Sequence, residues 1–208
     1  PVQTATSPRF IRAYRILFAA LALAAVITQF VQSVIILHRP PLNFFSYFTF
    51  QSNLFAAGVL AWLAIFPGRR SDWIRGAAVL YMLITGAVYN LLLAGLHAQL
   101  QTTIPWTNAT LHTLMPVVLL LDWLIDPPTA RLPFRQALLR WMIYPYLWLA
   151  YTLVRGPLAG WYPYPFLNPA QPGGGLTVAA YCVGISLGTF AAIWLVLLLG
   201  RRVRLLVS

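Results

Sequence analysis

A threonine and a histidine stand out in this chain because each is a reactive polar residue inside an apolar stretch. Thr49 lies within residues 46–53 and His112 within residues 108–113. A hydroxyl group attacks a carbonyl carbon when a neighbouring base accepts its proton, and imidazole is such a base near neutral pH. The pair therefore predicts nucleophilic chemistry on a lipid-like substrate, provided that the fold brings the two side chains together.

The composition predicts that membrane helices position these residues. Of the 208 residues, 60% are apolar and only 8% are charged, which is more apolar surface than a soluble domain of this size needs. The net charge of +11 comes from 14 arginines, without a single lysine. No cluster of basic and aromatic residues lies on a polar domain, which argues against a nucleic-acid partner. The expected fold class is all-α, a polytopic integral membrane protein in a lipid bilayer.

Six apolar runs are close to the roughly 20 residues that a helix needs to cross the hydrocarbon of a bilayer. In a single domain, 1–208, they cover about 11–37, 46–66, 74–96, 108–125, 135–154 and 177–199. Segments rich in proline or glycine separate them. Pro145 predicts a kink in the fifth run, because proline removes a backbone hydrogen bond.

The arginines predict the orientation of this bundle. Twelve of them fall on one side, and only Arg39 and Arg155 fall on the other. Because arginine accumulates in cytoplasmic loops, both termini are predicted to be cytoplasmic. The absence of lysine favours a GC-rich bacterial source, and hence the inner (plasma) membrane. Thr49 and His112 then lie roughly 5–6 Å below the outer surface, at a rise of 1.5 Å per residue.

Further polar side chains crowd the turns around Thr49. Ser52 and Asn53 follow it within about one helical turn, and Asn53 lies on the same helix face. Polar groups inside a membrane generally face protein or a water-filled cavity, because their exposure to lipid is costly. A lone threonine at the start of a helix more often bonds a backbone carbonyl one turn earlier. Such a structural hydroxyl is the alternative for Thr49.

The surroundings of His112 also contain amides. Asn108 precedes it by four residues, and Asn90 of the third run is expected either to line the pocket or to pair two helices. A structural histidine bonded to a neighbouring helix is the alternative for His112. Because Pro116 lacks an N–H group, the His112 carbonyl is expected to remain free in the pocket. Asn53 or Asn108 is predicted to donate a hydrogen bond to the oxyanion of a reacting ester.

This chemistry needs neither a metal ion nor a cofactor. Ligation of haem or metal by His97 and His112 is a minority alternative, because no further carboxylate or thiol ligand lies nearby in the sequence. The single cysteine, Cys182, excludes an internal disulfide. Asp122 and Asp126 end the fourth run near arginine clusters and are predicted to form ion pairs.

Three segments, in the same order, carry a resemblance to a known family. They are YFTF at 47–50, WTNATLHTLMP at 106–116 and GWYPYPFL at 160–167. On six apolar runs, they resemble the androgen-induced and androgen-dependent family of six-helix membrane proteins and its bacterial relatives. Animal members are threonine hydrolases that cleave fatty-acid esters of hydroxy fatty acids. The resemblance implies that Thr49 is the nucleophile and that His112 is the catalytic histidine.

The sequence departs from the family pattern in two places. Ser52 replaces an acidic residue that can follow the threonine, and the proline after the histidine is shifted by about one position. Because of the first departure, the resemblance assigns neither a carboxylate that would orient the histidine nor the identity of the substrate.

Together, these features predict an integral-membrane lipid esterase. Its expected substrate is a fatty-acid ester of a hydroxy fatty acid, or a similar lipid ester, that enters from the outer leaflet. The aromatic loops 97–107 and 155–176 are expected to cover the pocket. The first alternative is a non-enzymatic lipid- or small-molecule-binding protein or a transporter, although no internal repeat of the kind common in transporters is visible. A haem-binding electron carrier is the second alternative.

Overall fold

The computed structural model describes residues 9–69, 71–95 and 104–207, and within these ranges the chain is helical and has no strand. The α-helices are α1 (Arg9–Phe30), α2 (Pro41–Phe45), α3 (Phe48–Ile65), α4 (Asp72–Val88), α5 (Pro105–Ala109), α6 (Met115–Ile125), α7 (Phe134–Trp141), α8 (Ile143–Ala159) and α9 (Gly174–Val207). Three π-helical segments adjoin them, at Val31–Ile36, Tyr89–Leu93 and Thr110–Leu114, and a 3₁₀ turn covers Pro165–Leu167.

Five helical stretches in the described ranges are long and apolar enough to cross a membrane. They are Arg9–Ile36, Phe48–Ile65, Asp72–Leu93, Pro105–Ile125 and Gly174–Leu206. Large apolar side chains such as Leu91 and Leu187 lie exposed on the outside of the bundle, where lipid is a better solvent for them than water. The expectation of an all-α chain is confirmed for the described residues, with five helical stretches that are candidates to span a membrane rather than six.

The fifth predicted run, 135–154, is not one continuous helix. The structure divides it between α7 and α8 at Met142, rather than kinking it at Pro145. Pro145 falls in the first turn of α8, where its missing N–H group removes no bond from that helix. It cannot, however, donate to the carbonyl of Trp141, so a continuous hydrogen-bond ladder through this point is impossible.

Contacts between helices define the two ends of the bundle. Arg12 of α1 donates to the carbonyl of Ala64 near the end of α3, at 2.9 Å. Arg15 of α1 contacts Asp122 near the end of α6, at 2.6 Å. Therefore α3 and α6 both finish where α1 begins. We call this the arginine-rich end, and we call the opposite end, where α3 and α5 begin, the site end.

Buried ion pairs join three helices at the arginine-rich end. Arg15 binds Asp122 and Asp126 at 2.6 Å each, and Arg75 of α4 binds Asp122 at 2.9 Å. Asp72, in the first turn of α4, accepts from the backbone N–H and hydroxyl groups of Thr129 at 2.7 and 2.9 Å. The predicted ion pairs of Asp122 and Asp126 are therefore present. The three aspartates are all the acidic residues of the sequence.

Tryptophan N–H groups connect α7 and α8 to the rest of the bundle. Trp141 of α7 donates to the carbonyl of Trp73 near the start of α4, at 2.9 Å. Trp148 of α8 donates to the carbonyl of Ser46, just before α3, at 2.9 Å. Gly76 permits the first contact, because a Cβ atom there would lie 2.2 Å from the Trp141 ring. Thus α7 contacts the arginine-rich end and α8 contacts the site end.

Candidate active site

Thr49 and His112 lie side by side at the site end. The Thr49 Oγ1 atom is 3.3 Å from Nε2 of His112, and both residues are buried. Thr49 is the second residue of α3, and His112 belongs to the π-helical segment between α5 and α6. At this distance a base can accept the proton of the hydroxyl group. The structure brings together the two residues that the sequence singled out.

The other ring nitrogen of His112 determines its tautomer. Nδ1 lies 3.1 Å from the backbone carbonyl oxygen of Asn108. A carbonyl oxygen only accepts, so Nδ1 carries the hydrogen and Nε2 presents a lone pair to Thr49. This is the arrangement of a general base. The Asn108 carbonyl thus orients the ring in the role that a carboxylate fills in many catalytic triads.

The π-helical segment creates this local geometry. Since Pro116 has no N–H group, the regular ladder cannot reach the carbonyl of His112, and the N–H of Met115 bonds to the carbonyl of Thr110. The expectation that the His112 carbonyl is free was wrong, because the side-chain amide of Asn90 donates to it at 3.3 Å. Asn90 therefore ties helices together and does not line either cavity at the site.

Tyr89 holds one face of the imidazole. Its ring stacks on His112 with centroids 3.9 Å apart and an interplanar angle of 23°. The Tyr89 hydroxyl accepts from Nδ2 of Asn108 at 2.5 Å. Asn108 thus supports the ring twice, through its own carbonyl and through Tyr89.

Ser52 and Asn53 brace the start of α3. Nδ2 of Asn53 donates to the carbonyls of Thr49 and Leu111, at 2.9 and 3.2 Å, which uses both of its amide hydrogens. The Ser52 hydroxyl lies 3.1 Å from the Thr49 carbonyl and 2.8 Å from the hydroxyl of Thr85.

The contacts of the two amides do not support the predicted oxyanion role. Asn53 has no amide hydrogen left for a ligand, and Asn108 donates to Tyr89. Neither side chain lines a cavity at Thr49. Both residues support the fold around the site instead of facing a ligand.

Tyr164, for which the sequence predicted no role, touches the candidate nucleophile. Its hydroxyl oxygen lies 3.2 Å from Oγ1 of Thr49 and accepts the Thr49 N–H at 3.3 Å. Burial raises the pKa of Tyr164 to about 12, so the hydroxyl keeps its proton at neutral pH and can donate. The available signal was its place in the segment 160–167, which carries part of the family resemblance.

Thr49 lies where two cavities meet. The first, of about 240 Å³, is lined by Thr49 and His112 together with Arg39, Asn43 and Trp161. We call it the polar cavity because of these polar groups, although aromatic and apolar side chains form much of its wall. The position of Trp161 agrees with the expectation that the loop after α8 covers the pocket. The other loop predicted to cover the pocket, 97–107, lies mostly outside the described residues.

The second cavity is apolar and measures about 80 Å³. Thr49 and Tyr164 line it as well, together with side chains of α4, α8 and α9, among them Val88, Leu149 and Ile185. A larger apolar groove of about 630 Å³ lies between α4 and α9 and shares Val88 and Ile185 with this cavity. A molecule at Thr49 therefore meets polar groups on one side and hydrocarbon on the other.

Within residues 9–69, 71–95 and 104–207, no group of three or more histidine, cysteine or acidic side chains is placed to hold a metal ion. His97, the other candidate haem ligand, lies outside the described residues. Comparisons with protein-family models, curated proteins and solved structures found no match to this chain.

Proposed function

We propose that this chain is an integral-membrane lipid esterase with Thr49 as nucleophile and His112 as general base. The observation that carries the proposal is the 3.3 Å contact between Oγ1 and Nε2, with Nδ1 held by a backbone carbonyl. A base with a fixed tautomer beside a buried hydroxyl is the arrangement that activates a weak nucleophile. The resemblance of three sequence segments to a family of threonine hydrolases supports the same roles.

The proposed substrates are fatty-acid esters of hydroxy fatty acids, or similar lipid esters. The apolar cavity suits the first carbons of the acyl chain, the adjoining groove between α4 and α9 suits the rest of that chain, and the polar cavity suits the alcohol portion. The groove between α4 and α9 supports entry of the chain from the bilayer, because it adjoins the apolar cavity.

In the first half of the reaction, Oγ1 of Thr49 attacks the ester carbonyl carbon while its proton passes to Nε2 of His112. The carbonyl oxygen becomes an oxyanion, and the Tyr164 hydroxyl donates to it, a contribution of about 3–4 kcal/mol for such a donor. The C–O bond to the alcohol then breaks, and His112 returns the proton to the leaving oxygen. The products are the free alcohol and an acyl ester of Thr49.

In the second half, water attacks the acyl ester and gives its proton to His112. The bond to Oγ1 breaks, the proton returns to Thr49, and the fatty acid is released.

We further propose six crossings of the bacterial inner membrane, with both termini cytoplasmic. In this topology α7 and α8 together supply the crossing that no single helix provides, and the site end lies in the outer leaflet. The arginine asymmetry supports this orientation. Reporter fusions after α3 and α8 are expected to report opposite sides of the membrane, and the same side for both would overturn the topology.

Turnover by the purified protein tests the function. The protein in detergent is incubated with a palmitate ester of a hydroxystearic acid and, separately, with a fluorophosphonate probe. Hydrolysis and labelling are expected for the wild type and lost in Thr49→Ala and His112→Ala. Thr28→Ala is the matched control, because the Thr28 hydroxyl only bonds a carbonyl of its own helix at 2.8 Å. Turnover retained in Thr49→Ala would exclude the nucleophile, and binding without any turnover would favour the lipid-binding or transporter alternative.

A further inference from the structure

The acidic residues leave the site end without a counter-charge. The sequence has three side-chain carboxylates, and all of them lie at the arginine-rich end, in contact with Arg15, Arg75 or Thr129. Arg39 and Arg155 lie at the site end, so no side-chain carboxylate of the chain is near enough to pair with them.

The two arginines at the site end differ in their surroundings. Arg155 donates to Oδ1 of Asn43 at 2.5 Å and lies over the ring of Trp161, 5.4 Å from its centroid. Arg155 is therefore occupied in supporting the wall of the polar cavity. Arg39 is half-buried and lines that cavity itself, together with Thr49.

The backbone around Arg39 is held in an uncommon conformation. His38, directly before it, has a φ of 51°, a left-handed value that is rare for residues other than glycine. The N–H of Arg39 bonds the carbonyl of Ser33 at 3.1 Å. Strained backbone of this kind is concentrated at ligand-binding and active sites.

We propose that Arg39 binds an anionic group on the alcohol portion of the substrate, either a carboxylate or a phosphate. This inference rests on the proposed function, since the ester bond is placed at Thr49 and the acyl chain in the apolar cavity. The planar guanidinium group forms paired hydrogen bonds with both kinds of anion. In this partly enclosed cavity, such a pair is screened less than it would be in open water. Arg39 is thus a specificity-determining residue that selects acidic lipid esters over neutral ones.

Binding to a variant that cannot turn over tests this inference separately from catalysis. Thr49→Ala is placed in nanodiscs of phosphatidylcholine, and tryptophan fluorescence follows the binding of three ligands. These are the palmitate ester of a hydroxystearic acid, its methyl ester, and lysophosphatidic acid, an ester that carries a phosphate. The free acid is expected to bind about tenfold tighter than the methyl ester, as suits one charge-assisted contact. Adding Arg39→Gln is expected to remove this difference.

Arg69→Gln is the matched control, because Arg69 is exposed near the end of α3 and lies over Phe66. It is expected to leave the preference for the acid unchanged. If Arg39→Gln does not fold, Arg39→Lys takes its place, because it keeps the positive charge. Its preference for the acid over the methyl ester is expected to be less than about tenfold, since lysine lacks the planar guanidinium group.

The outcomes separate the two proposals. Equal affinities of the acid and the methyl ester in Thr49→Ala would overturn the role of Arg39, even if the wild type hydrolyses both. If the wild type hydrolyses no ester but the preference for the acid still depends on Arg39, the anion site would be supported and the esterase function would be excluded. Whichever of the carboxylate and the phosphate ligand loses more affinity in Arg39→Gln identifies the anion.

Discussion

Replacing Tyr164 with phenylalanine removes one hydroxyl group from the candidate site and leaves the ring in place. The hydroxyl oxygen lies 3.2 Å from Oγ1 of Thr49. When Oγ1 bonds to the ester carbonyl carbon, the oxyanion on that carbon lies next to Oγ1 and therefore within reach of the Tyr164 hydroxyl. Loss of one such donor lowers kcat by about 10²–10³-fold, or roughly 3–4 kcal/mol in the barrier. Tyr164→Phe is therefore expected to lower kcat by that factor and to change KM little.

The same substitution affects stability to a smaller extent. The Tyr164 hydroxyl accepts the N–H of Thr49 at 3.3 Å, and this N–H is among the first four of α3, which have no partner within the helix. A buried donor left unsatisfied costs about 1–3 kcal/mol. We expect a lower midpoint of thermal unfolding in detergent, with the helical circular dichroism spectrum retained at 25 °C.

The assay is steady-state hydrolysis of the hydroxystearate ester by purified wild type and Tyr164→Phe. Tyr162→Phe is the control, since Tyr162 belongs to the same loop and packs against Gly156 rather than against Thr49. A folded Tyr164→Phe protein with kcat within twofold of the wild type would refute the assignment of Tyr164 as oxyanion donor. An equal loss in the control would instead indicate a general effect of the loop.

Three further substitutions or conditions give measurable outcomes. A Cβ atom at Gly86 would lie 3.1 Å from the His112 carbonyl oxygen. Gly86→Ala is therefore expected to displace the imidazole and to lower kcat by up to about 100-fold. The control is Gly58→Ala, which should leave kcat unchanged because no atom lies within 4 Å of the added Cβ. Asp122→Asn removes a carboxylate that binds both Arg15 and Arg75, but Arg15 keeps Asp126 and Arg75 keeps Asp72. The variant is therefore expected to be less stable by about 1–3 kcal/mol in unfolding assays; no measurable loss would contradict the ionic role. Burial raises the pKa of Tyr164 from 10.0 to about 12, so the protonated hydroxyl contributes fully to the free energy of unfolding below pH 10, and this contribution is lost as the pH rises to 12. Between pH 10 and 12, the free energy of unfolding of Tyr164→Phe should therefore fall less than that of the wild type.

Much of the fold follows from the distribution of apolar residues. Long apolar runs between proline-rich breaks indicated the helices, and the polar residues Thr49 and His112 were found at one level of the bundle. The division of the fifth run at Met142 was not predicted, because the effect of Pro145 falls on the carbonyl of Trp141, four residues earlier. A break of this kind depends on backbone bonding that hydropathy does not record.

The details of the site depended on contacts between distant parts of the chain. Tyr164 meets Thr49 across a separation of 115 residues, and periodicity within one helix carries no information about such a partner. Asn53 was assigned to the oxyanion because its spacing placed it on the face of Thr49. Its amide hydrogens instead satisfy two backbone carbonyls, which the spacing alone could not distinguish.

The carbonyl that holds His112 belongs to the main chain, and so no replacement of the Asn108 side chain deletes it. Asn108→Ala would remove the hydrogen bond from the amide to the Tyr89 hydroxyl, but it would leave the carbonyl that accepts from Nδ1 of His112. The ring's alignment is encoded in the path of the backbone and in the proline that interrupts it at position 116. A side chain other than the amide at position 108 would therefore leave the base in place, whereas a change in helical pitch there would turn the imidazole away from its hydroxyl partner.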